Sequence, residues 1–130
     1  MDVIGVSSNR RRQLLDVTSF IQEAVGAAGV GDGICHIFVP HTTAAIMLNE
    51  NADPSVGSDL LEATERMLPS MTWRHLEGNS DAHLMSALIG VSLTVPVKDG
   101  ELALGRWQAV FLVELDGPRR REIWVTCVRA

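Results

Sequence analysis

Three histidines stand where a scaffold presents polar groups without breaking its own backbone ladders. His41 follows Pro40 at the end of an apolar run, His75 lies in a segment rich in Gly and Asn, and His83 falls in the first turn of a predicted helix. A neutral imidazole is the commonest metal ligand, and three of them leave coordination positions free for water or substrate. The spacing 41, 75, 83 matches no established metal motif, and a histidine at a helix start is more often a surface residue. Spacing by itself therefore leaves a shared metal site and three unrelated side chains both open. His36, inside an apolar run, is read as structural or surface-facing.

Carboxylates and anion-binding groups extend the set. Glu50 follows Asn49 at a strand exit, with Asp53 and Asp59 close in sequence. Such a carboxylate orders a ligand histidine through its second ring nitrogen, or serves as a general base. Asp53 has a competing role as a helix cap and Asp59 is ambiguous, which leaves Glu50 as the candidate. Gly78-Asn79-Ser80 leads into a helix whose free N–H groups suit an anion. Arg119-Arg120-Arg121 follows a tight turn, and Arg106 lies beside Trp107-Gln108, although a run of like charge is usually just solvated. The Walker sequence, the nucleophile elbow and a dinucleotide-binding glycine fingerprint are absent.

The elements that must carry these residues are legible in outline. Val3–Val6 and Gln13–Val17 read as two short strands with a turn at Ser7-Ser8-Asn9. Thr18 or Ser19 is expected to cap a helix. Ser19 and Gln22 form a capping-box pattern, Phe20, Ala24 and Ala27 lie at helical spacing, and Gly29 ends it. Ile34–Val39 and Ala44–Leu48 read as strands. Asp53-Pro54 opens a second helix with Val56, Leu60, Leu61, Thr64 and Leu68 as its apolar stripe. A third helix starts at Ser80 or Asp81, turns Ala82, Met85, Ala87 and Leu88 inward, and stops at Gly90. Val91–Val97, Trp107–Leu115 and Arg121–Val128 read as strands, with turns at Lys98-Asp99-Gly100 and Asp116-Gly117-Pro118. Hairpins with inserted helices predict an α+β fold built on a mainly antiparallel sheet, as one domain over 1–130.

Composition sets the outer limits. A chain of 130 residues buries roughly two-thirds of its unfolded surface and needs no disulfide or metal to hold a core. Its net charge of −5 argues against a nucleic-acid surface. Ten of its eleven basic residues are Arg, Lys98 being the exception, and the Arg fork suits phosphate or carboxylate. Cys35 and Cys127 each sit in a strand-like run, outside any CxxC pair, and read as core thiols in a reducing compartment. No signal peptide or membrane-length apolar stretch is visible, so a cytoplasmic protein without a membrane partner is expected.

Taken in order, Leu15-Asp16-Val17-Thr18, Pro40-His41-Thr42-Thr43-Ala44, Asn49-Glu50, Asp59-Leu60, His75, Glu77-Gly78-Asn79, Ala82-His83-Leu84, Gly105 with Trp107-Gln108, and Asp116-Gly117-Pro118-Arg119 closely resemble the YjbQ family, the secondary thiamine-phosphate synthases. The match runs from about residue 14 to 127, and the ordered set is far more specific than any one motif. The resemblance implies an α+β subunit in a homotrimer, with His41, His75 and His83 around a divalent metal and Glu50, Asn79 and Gln108 nearby. It implies condensation of hydroxymethylpyrimidine diphosphate with thiazole phosphate, giving thiamine phosphate and pyrophosphate. Two positions depart from the family pattern: Arg106 replaces a frequent Thr, and Trp73 a frequent Tyr.

In that chemistry the thiazole nitrogen already carries its lone pair, so the hard part is the charge on the leaving group. A divalent ion and Arg119 would stabilise it, Asn79 would contact the anion, and Glu50 would order a ligand or move a proton. Three imidazoles favour Zn²⁺ or a similar transition ion, with Mg²⁺ the alternative for diphosphate chemistry. A metal-dependent hydrolase and a trimeric metal-containing binding protein for a small phosphorylated ligand are the rival readings.

Overall fold

The apolar runs resolve into two antiparallel sheets whose inner faces share one core. The computed structural model describes residues 1–130. In chain order the elements are β1 (Asp2–Ser7), β2 (Gln13–Asp16), α1 (Thr18–Ala28), β3 (Gly33–Phe38), β4 (Ala44–Glu50), α2 (Pro54–Arg66), α3 (Ser80–Ile89), β5 (Ser92–Lys98), β6 (Glu101–Leu102), β7 (Gln108–Glu114) and β8 (Arg120–Arg129). The larger sheet has the order β1-β8-β3-β5-β6 and the smaller β2-β7-β4. The fold is α+β, as expected, with two sheets in place of one.

Alternation explains why the strands of the smaller sheet read as continuous apolar runs. Ala44, Ile46, Val110 and Leu112 face the main core with Cys35, Ile37, Ile123 and Val125 of the larger sheet and Ile21, Ala24 and Val25 of α1. Ala45, Val113 and Leu115 face the other way and pack on Ala82 and Met85 of α3. A strand covered on both faces loses its polar alternation. The small sheet is thereby held between the large sheet with α1 and, on its outer side, α3.

Several local expectations change once the chain folds. β1 and β2 do not form a hairpin: β1 pairs with β8, and β2 with β7. Likewise β7 and β8 flank Asp116-Gly117-Pro118 yet lie in different sheets, so the turn is a crossing point between layers. Gly117 permits that crossing, since a Cβ there would lie 2.3 Å from the Arg10 carbonyl oxygen. The two-residue hairpin at Asp99-Gly100 forms between β5 and β6, both residues at positive φ.

The capping box at α1 is not made. Gln22 instead donates to the Gly100 carbonyl and accepts from the Leu102 N–H, tying α1 to β6. The buried face of α1 is Ile21, Ala24 and Val25, whereas Phe20 is half exposed. Asp53 caps α2 as expected, accepting from the Ser55 N–H at 2.9 Å. None of the α2 stripe is fully buried, however. The N-cap of α3 is Asn79, and its buried face is Ala82, Met85 and Ser86, with Leu88 exposed. No helix is long and apolar enough to cross a membrane.

Candidate functional site

Polar residues concentrate where the corner between β3 and β4, the start of α3 and the β7–β8 crossing meet. At the centre is Glu114, fully buried at the end of β7 after the apolar run Ala109–Val113. Its carboxylate accepts from Ser8 Oγ at 2.7 Å, from Arg121 through both Nε and Nη2, and from the Leu115 and Asp116 N–H groups at 3.0 Å. Burial pushes this carboxyl up, but the hydrogen bonds from Arg121, Ser8 and Asp116 outweigh it and hold the group below its ordinary range. Arg121, itself 3% exposed, also donates to the carbonyl and hydroxyl of Thr43, each at 2.9 Å. That contact fixes the His41-Thr42-Thr43 corner.

His41 is fastened from the same strand. The Glu122 N–H donates to His41 Nε2 at 2.8 Å, so in the neutral ring Nδ1 carries the proton. Burial, followed by the charge of Arg121, lowers the His41 pKa; the opposing pull of Glu122 and Glu114 is smaller. On the other side, Asp116 accepts from Asn79 Nδ2 and from Arg119 Nη2, both at 2.8 Å. Burial raises the Asp116 carboxyl, but Asn79 and the Arg119 charge bring it below its usual value. Asn79 is buried at the head of α3, and its Oδ1 has no hydrogen-bond partner.

α3 then presents His83 beside His75, with ring centroids 5.3 Å apart and planes at 89°. His75 Nδ1 lies 3.0 Å from Ser80 Oγ and its Nε2 3.7 Å from Glu77 Oε1. His41 and His83 line one cavity of about 560 Å³, together with Phe38, Thr42 and Ser86. Ser86 donates to the Ala44 carbonyl at 2.7 Å, which seats α3 against the start of β4.

The histidines expected to act together are thus neighbours, pairwise: His75 with His83, and His83 with His41. They do not form a closed ligand set as the rings stand, for no group of three His, Cys, Asp or Glu side chains is arranged to hold an ion. The His41 Nε2 lone pair is spent on the Glu122 N–H, so His41 fits a metal only after its ring turns away from β8.

Glu50 and Gln108 lie elsewhere in the subunit. They sit opposite each other at the far end of the β4–β7 ladder, whereas Ala44 pairs with Glu114 at the near end. Six residue steps of strand put about 20 Å between the two ends. Glu50 therefore cannot orient His41 within one subunit, and Gln108 accepts from the Gly105 N–H at 2.8 Å, closing its own turn. Arg119 is at the near end, exposed but already bonded to Asp116. Arg106 stacks on Trp107 at 4.8 Å, away from the histidines. His36 meets Thr94 across the sheet, as a structural residue would.

The sequence reading missed Thr43, Glu114, Asp116 and Arg121 as a connected network. The signal was present: Glu114 is a charged residue in the run Phe111–Leu115, and a buried charge demands a partner.

The model of the UPF0047, YjbQ-like family matches residues 2–130. The chain belongs to the YjbQ/UPF0047 family. It is 48% identical over 124 residues to UPF0047 protein MJ1081 of Methanocaldococcus jannaschii, covering 95% of this chain and 90% of that protein. It is 36% identical over 130 residues to UPF0047 protein YugU of Bacillus subtilis, covering 96% of each. A crystal structure of a YjbQ/UPF0047-family protein from Clostridium acetobutylicum superposes with a TM-score of 0.95 at 38% identity, covering 98% of this chain and 100% of that one. A protein of the same type from Sulfolobus solfataricus, described as of unknown function, gives 0.92 at 41% identity, covering 99% and 96%. These family members share the whole fold, and their names carry no activity.

Proposed function

We propose that this family member is a metal-dependent enzyme of the thiamine-phosphate synthase type. It would join hydroxymethylpyrimidine diphosphate to thiazole phosphate and release pyrophosphate. The observation that carries the reading is the meeting of His41 and His83 on one cavity, with His75 edge-on to His83 at the head of α3. When bound, a divalent ion, Zn²⁺ or a similar transition metal in preference to Mg²⁺, supplies positive charge for the departing pyrophosphate.

The chain's own residues do the rest. Arg119 and the free N–H groups at the start of α3 hold phosphate oxygens. Asn79 aligns α3 through Asp116. Its Oδ1 is buried without a hydrogen-bond partner. Arg121 and Glu114 hold the His41 corner in place. Glu50 and Gln108, at the other end of the sheet, take no part within the same subunit.

The reading includes a cytoplasmic homotrimer. Met67, Met71, Leu76 and Leu88 are large apolar side chains left exposed on the single subunit, and assembly would cover them.

Metal analysis of the purified protein and of His41→Ala, His75→Ala and His83→Ala tests the ligand assignment: each variant is expected to lose bound metal. Pyrophosphate release that needs both substrates supports the condensation. Phosphate release from one substrate alone identifies a hydrolase, and ligand binding without turnover under every metal identifies a binding protein. Metal content equal to the parent in all three variants ends the proposal.

A further inference from the structure

A second cavity, of about 420 Å³, opens at the far end of β4, between that strand, β2 and the start of α2. That volume lies within the range of small-molecule sites. Leu14, Leu61 and Phe111 supply its apolar part. Most of the charged groups around it are already engaged. Arg12 pairs with Asp81 at 2.7 Å, Asp16 accepts from Thr18 and Asn51, and Asp53 caps α2.

Two groups are not engaged. Glu50 donates its backbone N–H to Asn49 Oδ1, and its carboxylate meets no donor in the chain. The Arg10 guanidinium likewise makes no hydrogen bond or ion pair, although both residues line the same cavity. A concavity that keeps a free cation and a free anion apart is complementary to a ligand carrying both charges. Arg10 offers planar N–H pairs suited to a dianionic phosphate. Glu50 offers two acceptor oxygens to an ammonium or amidine-like edge.

We propose that this cavity is a second binding site, for a small phosphorylated amine. Arg10 holds its phosphate, Glu50 its nitrogen, and Leu14, Leu61 and Phe111 its apolar body. The site lies about 20 Å along β4 from the His41 corner and does not rest on the metal reading.

Calorimetric titration and backbone-amide NMR on the full chain test it. O-phosphoethanolamine and pyridoxamine 5′-phosphate carry both groups; inorganic phosphate and ethanolamine are the separate halves. At least one double-ended probe is expected to bind roughly tenfold or more tighter than either half, the affinity of one added charge-assisted hydrogen bond. Amide shifts are expected at Gln13, Asn51 and Gly57. Arg10→Gln reduces the affinity to that of ethanolamine, and Glu50→Gln to that of inorganic phosphate. Neither side chain holds another group in the fold, so both variants keep the parent's melting temperature. Arg10→Gln also keeps the parent's metal content, which separates this site from the histidine cavity. The proposal is overturned if both double-ended probes bind no better than inorganic phosphate, if neither variant changes binding, or if the shifts centre on His41 and His83.

Discussion

Replacing Glu114 by Ala removes five hydrogen bonds at once and leaves the Arg121 guanidinium, 3% exposed, without a counter-charge. Removing one partner of a buried pair costs about 3–5 kcal/mol, because the remaining charge stays desolvated. For a domain of this size each kcal/mol lowers Tm by about 4 °C, so a fall of about 12–20 °C is expected. The double replacement Glu114→Leu with Arg121→Met removes both charges and is expected to cost less than the single one, since no orphan is left. The Thr43 carbonyl and hydroxyl still lose their donor in that variant, so some loss remains.

Denaturant unfolding at pH 7 and fixed protein concentration measures both effects. The pH dependence has a definite sign. The folded Glu114 carboxyl lies below its ordinary 4.5, so its contribution is complete above that value and is lost as pH falls through the folded one. The loss should be absent from the double variant. A single variant that costs under about 1 kcal/mol, or a double variant as unstable as the single, would refute the buried-pair argument.

His41 should titrate below its ordinary 6.5, followed by the NMR shifts of its ring, and Arg121→Met should raise it, since the Arg121 charge helps to lower it. Because the folded value is the lower one, stability linked to His41 is present above about 6.5 and lost as pH falls through the folded value. Ser86→Ala should cost about 1 kcal/mol by urea denaturation, through loss of the buried bond to the Ala44 carbonyl. Gly117→Ala should cost about 1–3 kcal/mol or prevent folding, read by circular dichroism, because its Cβ would meet backbone at 2.3 Å. Native Cys35 should resist a thiol reagent at pH 8 and react after unfolding, since burial and the facing Cys127 push its thiol up to about 12.

Residue types and short-range spacing carried much of the design. Asp53-Pro54, Gly29, Gly90 and Asp99-Gly100 punctuate the chain through local backbone chemistry that needs no tertiary partner, and each does what its neighbours in sequence suggest. The apolar runs were legible as strands for the same reason. The ordered motif set was specific enough to indicate the family.

Pairing was not legible, because a strand's partner is chosen by burial across the whole domain and not by the loop beside it. β1 and β2 part into different sheets, as do β7 and β8, although each pair is joined by a short connection. Gln22 left its capping pattern because the Gly100 carbonyl of the β5–β6 turn and the Leu102 N–H of β6 lie within its reach, and a sequence window around α1 contains neither. Above all, tertiary structure decided which polar residues share a site. The chain by itself determined that His41, Glu50, His83, Glu114 and Arg121 are present and charged or chargeable. Only the antiparallel register, which lays Glu114 beside Ala44 and carries Glu50 to the opposite end, decided that Arg121 and Glu114 support His41 while Glu50 faces a cavity of its own.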